Sequence, residues 1–271
     1  MIKALKFLLG LSLLVVVASD GEAHWKNLEA GLEFGEFAAG QKSEIGDSRV
    51  RILRINPARF ELVLLNASAN SSDDLMTAKE WSQHHGLVAA INASMYQKDY
   101  KTSVSLMKTR QHTNNPTLTR NKTILAFDRL TNDVPEALII DRQCDDFSTL
   151  RKKYGTFVQS IRMISCKGEN VWSKQPEKWS TAAIAMDKAR NILFIHVSSP
   201  YTMYDLINIL KKLPLKIDRA MYSEGGPESQ LFIKTETFES EFAGRLKSET
   251  TNKRQLNIAW PIPNVVGIKR K

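Results

Sequence analysis

Cysteine is scarce in this sequence, with only Cys144 and Cys166 in 271 residues. That excludes a small disulfide-stapled fold and a cysteine-rich metal domain, which need more thiols. Histidine is nearly as scarce: His24, His84, His85, His112 and His196 show no metal-ligand spacing. The glycine-rich dinucleotide and P-loop patterns, the HExxH zinc signature and the nucleophile elbow are missing as well. Internal repeats and low-complexity linkers are absent. Long apolar runs are few. Leu8–Ala18 is eleven residues, whereas a membrane-spanning helix needs about twenty. No later segment is long enough, so no stable membrane span is expected.

What is present at the start resembles a secretory signal. Lys3 and Lys6 precede the apolar run, and Ala18 and Ala23 offer small residues for cleavage. An uncleaved amphiphilic anchor is the alternative. The expectation is a signal peptide over 1–23, a single domain over 24–271, and a periplasmic or secreted location at a bacterial cell envelope. The chain carries a formal charge of +9, which favours anionic partners such as phosphorylated glycans. Export makes nucleic acid an unexpected partner. In an oxidising compartment the two cysteines are expected to bond.

Val50–Ile55 and Phe60–Leu65 alternate apolar and polar residues around Asn56-Pro57, which predicts a hairpin. Ser71 and Asp74 approximate a capping box for a helix over 73–85 that stops at Gly86. The apolar run 87–93 predicts a buried strand. Further strands are expected at 123–127, 137–140 and 157–164, with a hairpin formed by 181–186 and 192–197. Thr202 caps a helix over 202–213, with Leu206, Ile209, Leu210 and Leu213 on its apolar face and Pro214 at its end. Strands over 217–222 and 264–268 follow. The fold class is therefore α+β, a mixed and largely antiparallel sheet with a few packed helices.

Three segments depart from plain structural patterning. In Ile91-Asn92-Ala93-Ser94-Met95-Tyr96, an apolar strand ends on an amide flanked by small residues. Asn92 there can bind a ligand or tie down a turn. In Tyr222-Ser223-Glu224-Gly225-Gly226-Pro227-Glu228-Ser229, a carboxylate at a strand end meets paired glycines. Such a turn can offer backbone N–H groups to an anion, or simply reverse the chain. In Gln159-Ser160-Ile161-Arg162-Met163-Ile164, an arginine interrupts a strand-like run. It faces water or is buried with an anionic partner. His196, within a predicted strand, is read as a core group.

Together these segments resemble the phosphodiester glycosidase family. Asn92-Ala93-Ser94-Met95-Tyr96 stands where the family has Asn-Gly-Gly followed by aromatics. Glu224-Gly225-Gly226-Pro227-Glu228-Ser229 stands where it has Asp-Gly-Gly and small hydroxyl residues. The order of Arg162, the 181–197 hairpin and the Thr202 helix matches the layout between those motifs. Ala93-Ser94 in place of two glycines narrows the space beside Asn92, and Glu224 is one methylene longer than Asp.

The resemblance implies hydrolysis of a sugar phosphodiester at the anomeric carbon, through an oxocarbenium-like transition state. Glu224, Arg162 and Asn92 would be catalytic: the carboxylate near the sugar, the guanidinium near the phosphate, the amide orienting hydroxyls. Ser229, Gly225 and Gly226 would bind substrate. No cofactor is needed, although Glu224, Glu228 and Asp218 lie close enough in sequence to suggest a divalent cation. A second reading is a non-catalytic envelope protein that keeps the fold and binds a glycan.

Overall fold

A computed structural model of the protein describes residues 25–69, 74–245 and 258–271. The expected signal segment and Ser71 lie outside the described residues. The strands, in chain order, are β1 (Trp25–Glu29), β2 (Leu32–Ala38), β3 (Arg49–Ile55), β4 (Phe60–Asn66), β5 (Ala89–Asn92), β6 (Met107–Lys108), β7 (Thr113–Asn115), β8 (Thr123–Arg129) and β9 (Ala137–Asp141). They continue with β10 (Tyr154–Ser160), β11 (Arg162–Ile164), β12 (Trp179–Asp187), β13 (Ile192–Tyr201), β14 (Ile217–Gly225), β15 (Gln230–Lys234), β16 (Glu239–Ala243) and β17 (Asn264–Arg270). The helices are α1 (Ala78–His85), α2 (Phe147–Leu150) and α3 (Met203–Lys212).

The α+β expectation holds. One sheet runs β1-β2-β3-β13-β12-β14-β11, a second β7-β6-β10-β8-β9, and a third β16-β15-β5-β17-β4. Every strand pairing among the described residues is antiparallel. All three sheets turn one face into a common core, where Phe194 and Met221 meet Ile91, Val266, Leu125 and Phe157. The seven-stranded sheet is buried on its other face too. There Leu193 and Ile195 pack with Met203, Leu206 and Leu210 of α3. Burial on both faces explains why its central strands are continuously apolar instead of alternating.

Two local expectations hold closely. Met186↔Ile192 pairing closes the β12–β13 hairpin, and the Asp187 carboxylate accepts from the Asn191 N–H at 2.9 Å. Thr202 Oγ1 accepts from the Asp205 N–H at 3.0 Å and caps α3.

Three others are corrected. β3 and β4 are not a hairpin: β3 pairs with β2 and β13, and β4 with β17. The turn at Asn56 passes the chain between sheets, and Leu53 and Ile55 meet Phe60 and Leu62 across the core. Alternation reports which face is buried, not which strand lies alongside. α1 begins at Ala78, not residue 73. Its capping box is Thr77–Glu80, with the Glu80 carboxylate accepting from the Thr77 N–H at 2.8 Å. The preceding Met76 is held extended by a bridge to Ile262. Finally, the run 157–164 is two strands in two sheets, β10 and β11, switching at Ile161.

The Cys144–Cys166 disulfide is present, joining residues 22 apart. It ties the turn after β9 to the turn after β11. Reducing it is expected to cost about 3 kcal/mol of stability on the loop-entropy argument. Denaturant melts with and without reductant measure this, and identical midpoints would show that the bridge constrains nothing.

Candidate functional site

β14 carries the centre of the site. The sequence predicts its end at Tyr222, but pairing with β12 continues to Gly225. The register slips between Ala182 and Ala183, which face Glu224 and Tyr222 and leave Ser223 as the extra residue. Such a bulge re-aims the side chains that follow it. Glu224, still paired with Ala182, thus stands at the end of the strand, just before the turn Gly226–Glu228.

Glycine is needed at both following positions. A Cβ at Gly225 would collide with the Tyr222 hydroxyl and the Trp179 indole. Gly226 adopts a φ of +68°, in the left-handed region. Ser229 is fully buried, and its hydroxyl closes the turn by donating to the Gly226 carbonyl at 2.9 Å. The Ser229 carbonyl meets His196 Nε2 at 3.1 Å. His196 is fully buried, and desolvation lowers its pKa to about 4, in keeping with a neutral core group.

Asn92 ends β5 against the same turn. Its amide nitrogen donates to the Glu228 carbonyl at 2.9 Å, and its oxygen accepts from the Gln230 N–H at 2.7 Å. Both ends of the buried side chain thus hold backbone. Among the expected site residues, Asn92, Glu224, Gly225, Gly226 and Ser229 converge on this one turn.

The electrostatics single out Glu224. Burial pushes its carboxyl up to about 8; the Gly225 N–H, donating at 3.0 Å, opposes this, and the neighbouring Glu228 carboxylate adds to it. Two tyrosines report the same charges. Burial, then Glu224, then Glu228 raise the Tyr96 phenol above its ordinary value. Tyr222 is raised first by burial and next by Glu224. Glu228, Tyr96 and Tyr222 were given no catalytic or substrate-binding role from the sequence. Their signal was only that each lies within a segment already singled out.

Arg162 lies on β11 opposite Met221, three residues before Glu224 along the neighbouring strand. At about 3.3 Å per residue this is roughly 10 Å. Its guanidinium is not free. Nη1 donates to both oxygens of Asp141, at 3.0 and 2.9 Å, and to Gln143 Oε1 at 2.7 Å. Asp141 is fully buried. Burial works against its ionisation, but the N–H groups of Cys166 and Gln143 and the Arg162 guanidinium outweigh it and lower the pKa. Arg162 connects to the Glu224 region through Trp172. That indole donates to the Arg162 carbonyl at 2.8 Å and packs 5.9 Å from the Tyr222 ring.

Among the described residues, no three His, Cys, Asp or Glu side chains converge as a metal site. Asp218 does not join Glu224 and Glu228. It pairs with Arg219 at 3.2 Å, six residues back along an extended strand.

The phosphodiester glycosidase family model matches residues 85–269. The chain belongs to the phosphodiester glycosidase family. That match spans every element of this family member's candidate site. Among solved structures, it is similar to the catalytic domain of zebrafish N-acetylglucosamine-1-phosphodiester alpha-N-acetylglucosaminidase, auto-inhibited by its pro-peptide. The identity is 12%, with 92% of this chain and 87% of that one covered and a TM-score of 0.57. A hypothetical protein from Synechocystis gives 12% identity, coverage of 94% and 65%, and a TM-score of 0.57. A Burkholderia pseudomallei protein described as exported gives 9%, coverage of 81% and 73%, and 0.51. At these identities the likeness speaks for the fold. No curated protein sequence matches the chain. Among the described residues, no helix is long and apolar enough to cross a membrane.

Proposed function

We propose that the protein is an exported hydrolase that cleaves a sugar phosphodiester at the anomeric carbon, with Glu224 at the reacting centre. The observation that carries this is a carboxyl group pushed up to about 8, beside a second carboxylate, in a glycine turn of a chain from this family. A general base works best with a pKa near the operating pH. The leaving group is a phosphate monoester, which departs without a proton. The demand therefore falls on the attacking water. The bond from the anomeric carbon to the phosphate oxygen breaks, and its electron pair leaves with the phosphate. Water oxygen bonds to that carbon and gives its proton to Glu224.

Asn92 acts as a positioning residue, because both ends of its amide hold the 228–230 backbone. Ser229 supports the same turn from beneath. Gly226 leaves space for the sugar to approach the backbone, while Gly225 makes room for the Tyr222 hydroxyl and the Trp179 indole that wall the site. Arg162, whose guanidinium is held by Asp141 and Gln143, is assigned to the phosphate side of the substrate. Export is supported by the signal-like run at residues 8–18 and by the disulfide.

The test is release of free sugar from a panel of sugar-1-phosphodiesters, varied in sugar and in esterified alcohol. Turnover of at least one member is expected. No release from any of them would transfer the reading to a glycan-binding protein of the same fold.

A further inference from the structure

We propose that a cationic depression beside Arg162 receives a second phosphate on the leaving side of the substrate. The substrate would then be a phosphodiester-linked chain, not a sugar phosphate esterified to a small neutral alcohol. This rests on the hydrolytic reading above and extends it.

An open depression of about 350 Å³ is lined by Arg120, Lys122, Ile161, Arg162, Trp172 and Ser173, among others. Arg120 and Lys122 are exposed, and neither has a hydrogen-bond or ion-pair partner for its side chain among the described residues. Unpaired cations on a surface are ordinary. What distinguishes these two is the backbone that carries them.

Gln159, fully buried in β10, spends its whole amide on that loop and its neighbour. Its nitrogen donates to the carbonyls of Thr119 and Asn121 at 3.1 and 2.6 Å. Its oxygen accepts from the N–H groups of Thr119 and Leu106 at 3.0 and 3.3 Å. Arg142 donates to the same two carbonyls from the other side, at 2.7 and 3.2 Å. The Asn121 amide donates to Ser105 Oγ at 2.9 Å. A buried side chain with every hydrogen-bonding capacity engaged holds its partners in one arrangement. The loop is thus fixed while its two cations stay uncommitted, as preorganised anion recognition requires.

The position selects the kind of anion. The depression joins the Glu224 region through Trp172 and Tyr222. Ile161, which lines it too, accepts from the Tyr222 N–H, two residues before Glu224, so the near edge of the depression is roughly 7 Å from Glu224 by strand spacing. The scissile phosphate sits one bond from the anomeric carbon. Arg120 and Lys122 are carried by the loop before β8, in another sheet than Glu224, and are assigned to the next charged group along the leaving chain. The half-buried Trp172 ring offers an apolar face to the polyol between the two phosphates.

The probe is a short oligomer of glycerol units joined by phosphodiesters, titrated calorimetrically at low salt. Wild type and Glu224→Gln are expected to bind it alike. The Arg120→Gln/Lys122→Gln double variant should bind about tenfold more weakly, because charge-assisted contacts to phosphate are lost. Arg151→Gln/Lys152→Gln removes the same charge from another exposed surface and should leave the affinity unchanged. Equal weakening in both double variants would reduce the effect to general charge attraction and overturn the proposal. Absence of binding by wild type would overturn it too. The two readings fail separately. Oligomer binding with this pattern in a protein that releases no sugar removes the hydrolysis and keeps the depression. Sugar release without oligomer binding does the reverse.

Discussion

Glu224→Gln is expected to lower kcat by about a thousandfold, within the range for losing a general base. The fall should appear in kcat more than in KM, because the base acts in the transition state. Wild-type activity should rise with pH through about 8, where Glu224 ionises, and the variant should lack that limb. Activity that falls through the same range would assign Glu224 to proton donation instead. Unchanged kcat would remove it from the mechanism. Stability should move the opposite way. The folded protein holds this proton up to about 8, while an unfolded glutamate releases it near 4.5. Stability from this group is therefore present below 4.5 and lost as pH rises through 8. Gln does not titrate, so the variant should melt above wild type at pH 9, and the gap should close at pH 4.

Asp141→Ala is expected to destabilise the protein by about 3–5 kcal/mol, the usual cost of leaving one member of a buried ion pair unmatched. Asp141 is fully buried and accepts from Arg162 and from the N–H groups of Gln143 and Cys166. Chemical denaturation measures the loss. The double variant Asp141→Ala/Arg162→Ala should cost less than the sum of the two single variants, since removing both charges leaves neither stranded. Strict additivity would show that the two side chains do not depend on each other. The lowered pKa of Asp141 also sets a pH direction. Its contribution is present above the ordinary carboxylate range and disappears as pH falls below it.

The sequence spoke clearly where local chemistry decides the outcome. Thr202, Asp205 and the apolar face of α3 carry their own instructions, and so do Asp187 and Asn191 in the β12–β13 turn. It was silent where the choice lies between distant partners. The alternation of 50–55 and 60–65 could not say that these strands face each other across a core. Nor did the unbroken run 157–164 mark Ile161 as a switch between sheets. The site divides in the same way. Asn92 and the glycine turn were visible as an amide and paired glycines at strand ends. The ordinary structural role of Asn92, tying down a turn, is the one its two hydrogen bonds display. Asp141 was invisible as the partner of Arg162, because 21 residues and a change of sheet separate them. The raised carboxyl of Glu224 depends on burial, which composition does not reveal.

The placement of β17 has a consequence for how the chain acquires its shape. This strand, Asn264–Arg270, lies between β4 and β5, and the Asn264 side chain accepts from Asn66, 198 residues earlier. Neither neighbour can complete its pairing until residues up to 270 are available. Nascent segments must wait with two strand edges open, and closure of so long a loop is slow. A ribosome-bound chain lacking those residues would be held short of its native state, and the edges beside β4 and β5 would be where it aggregates first.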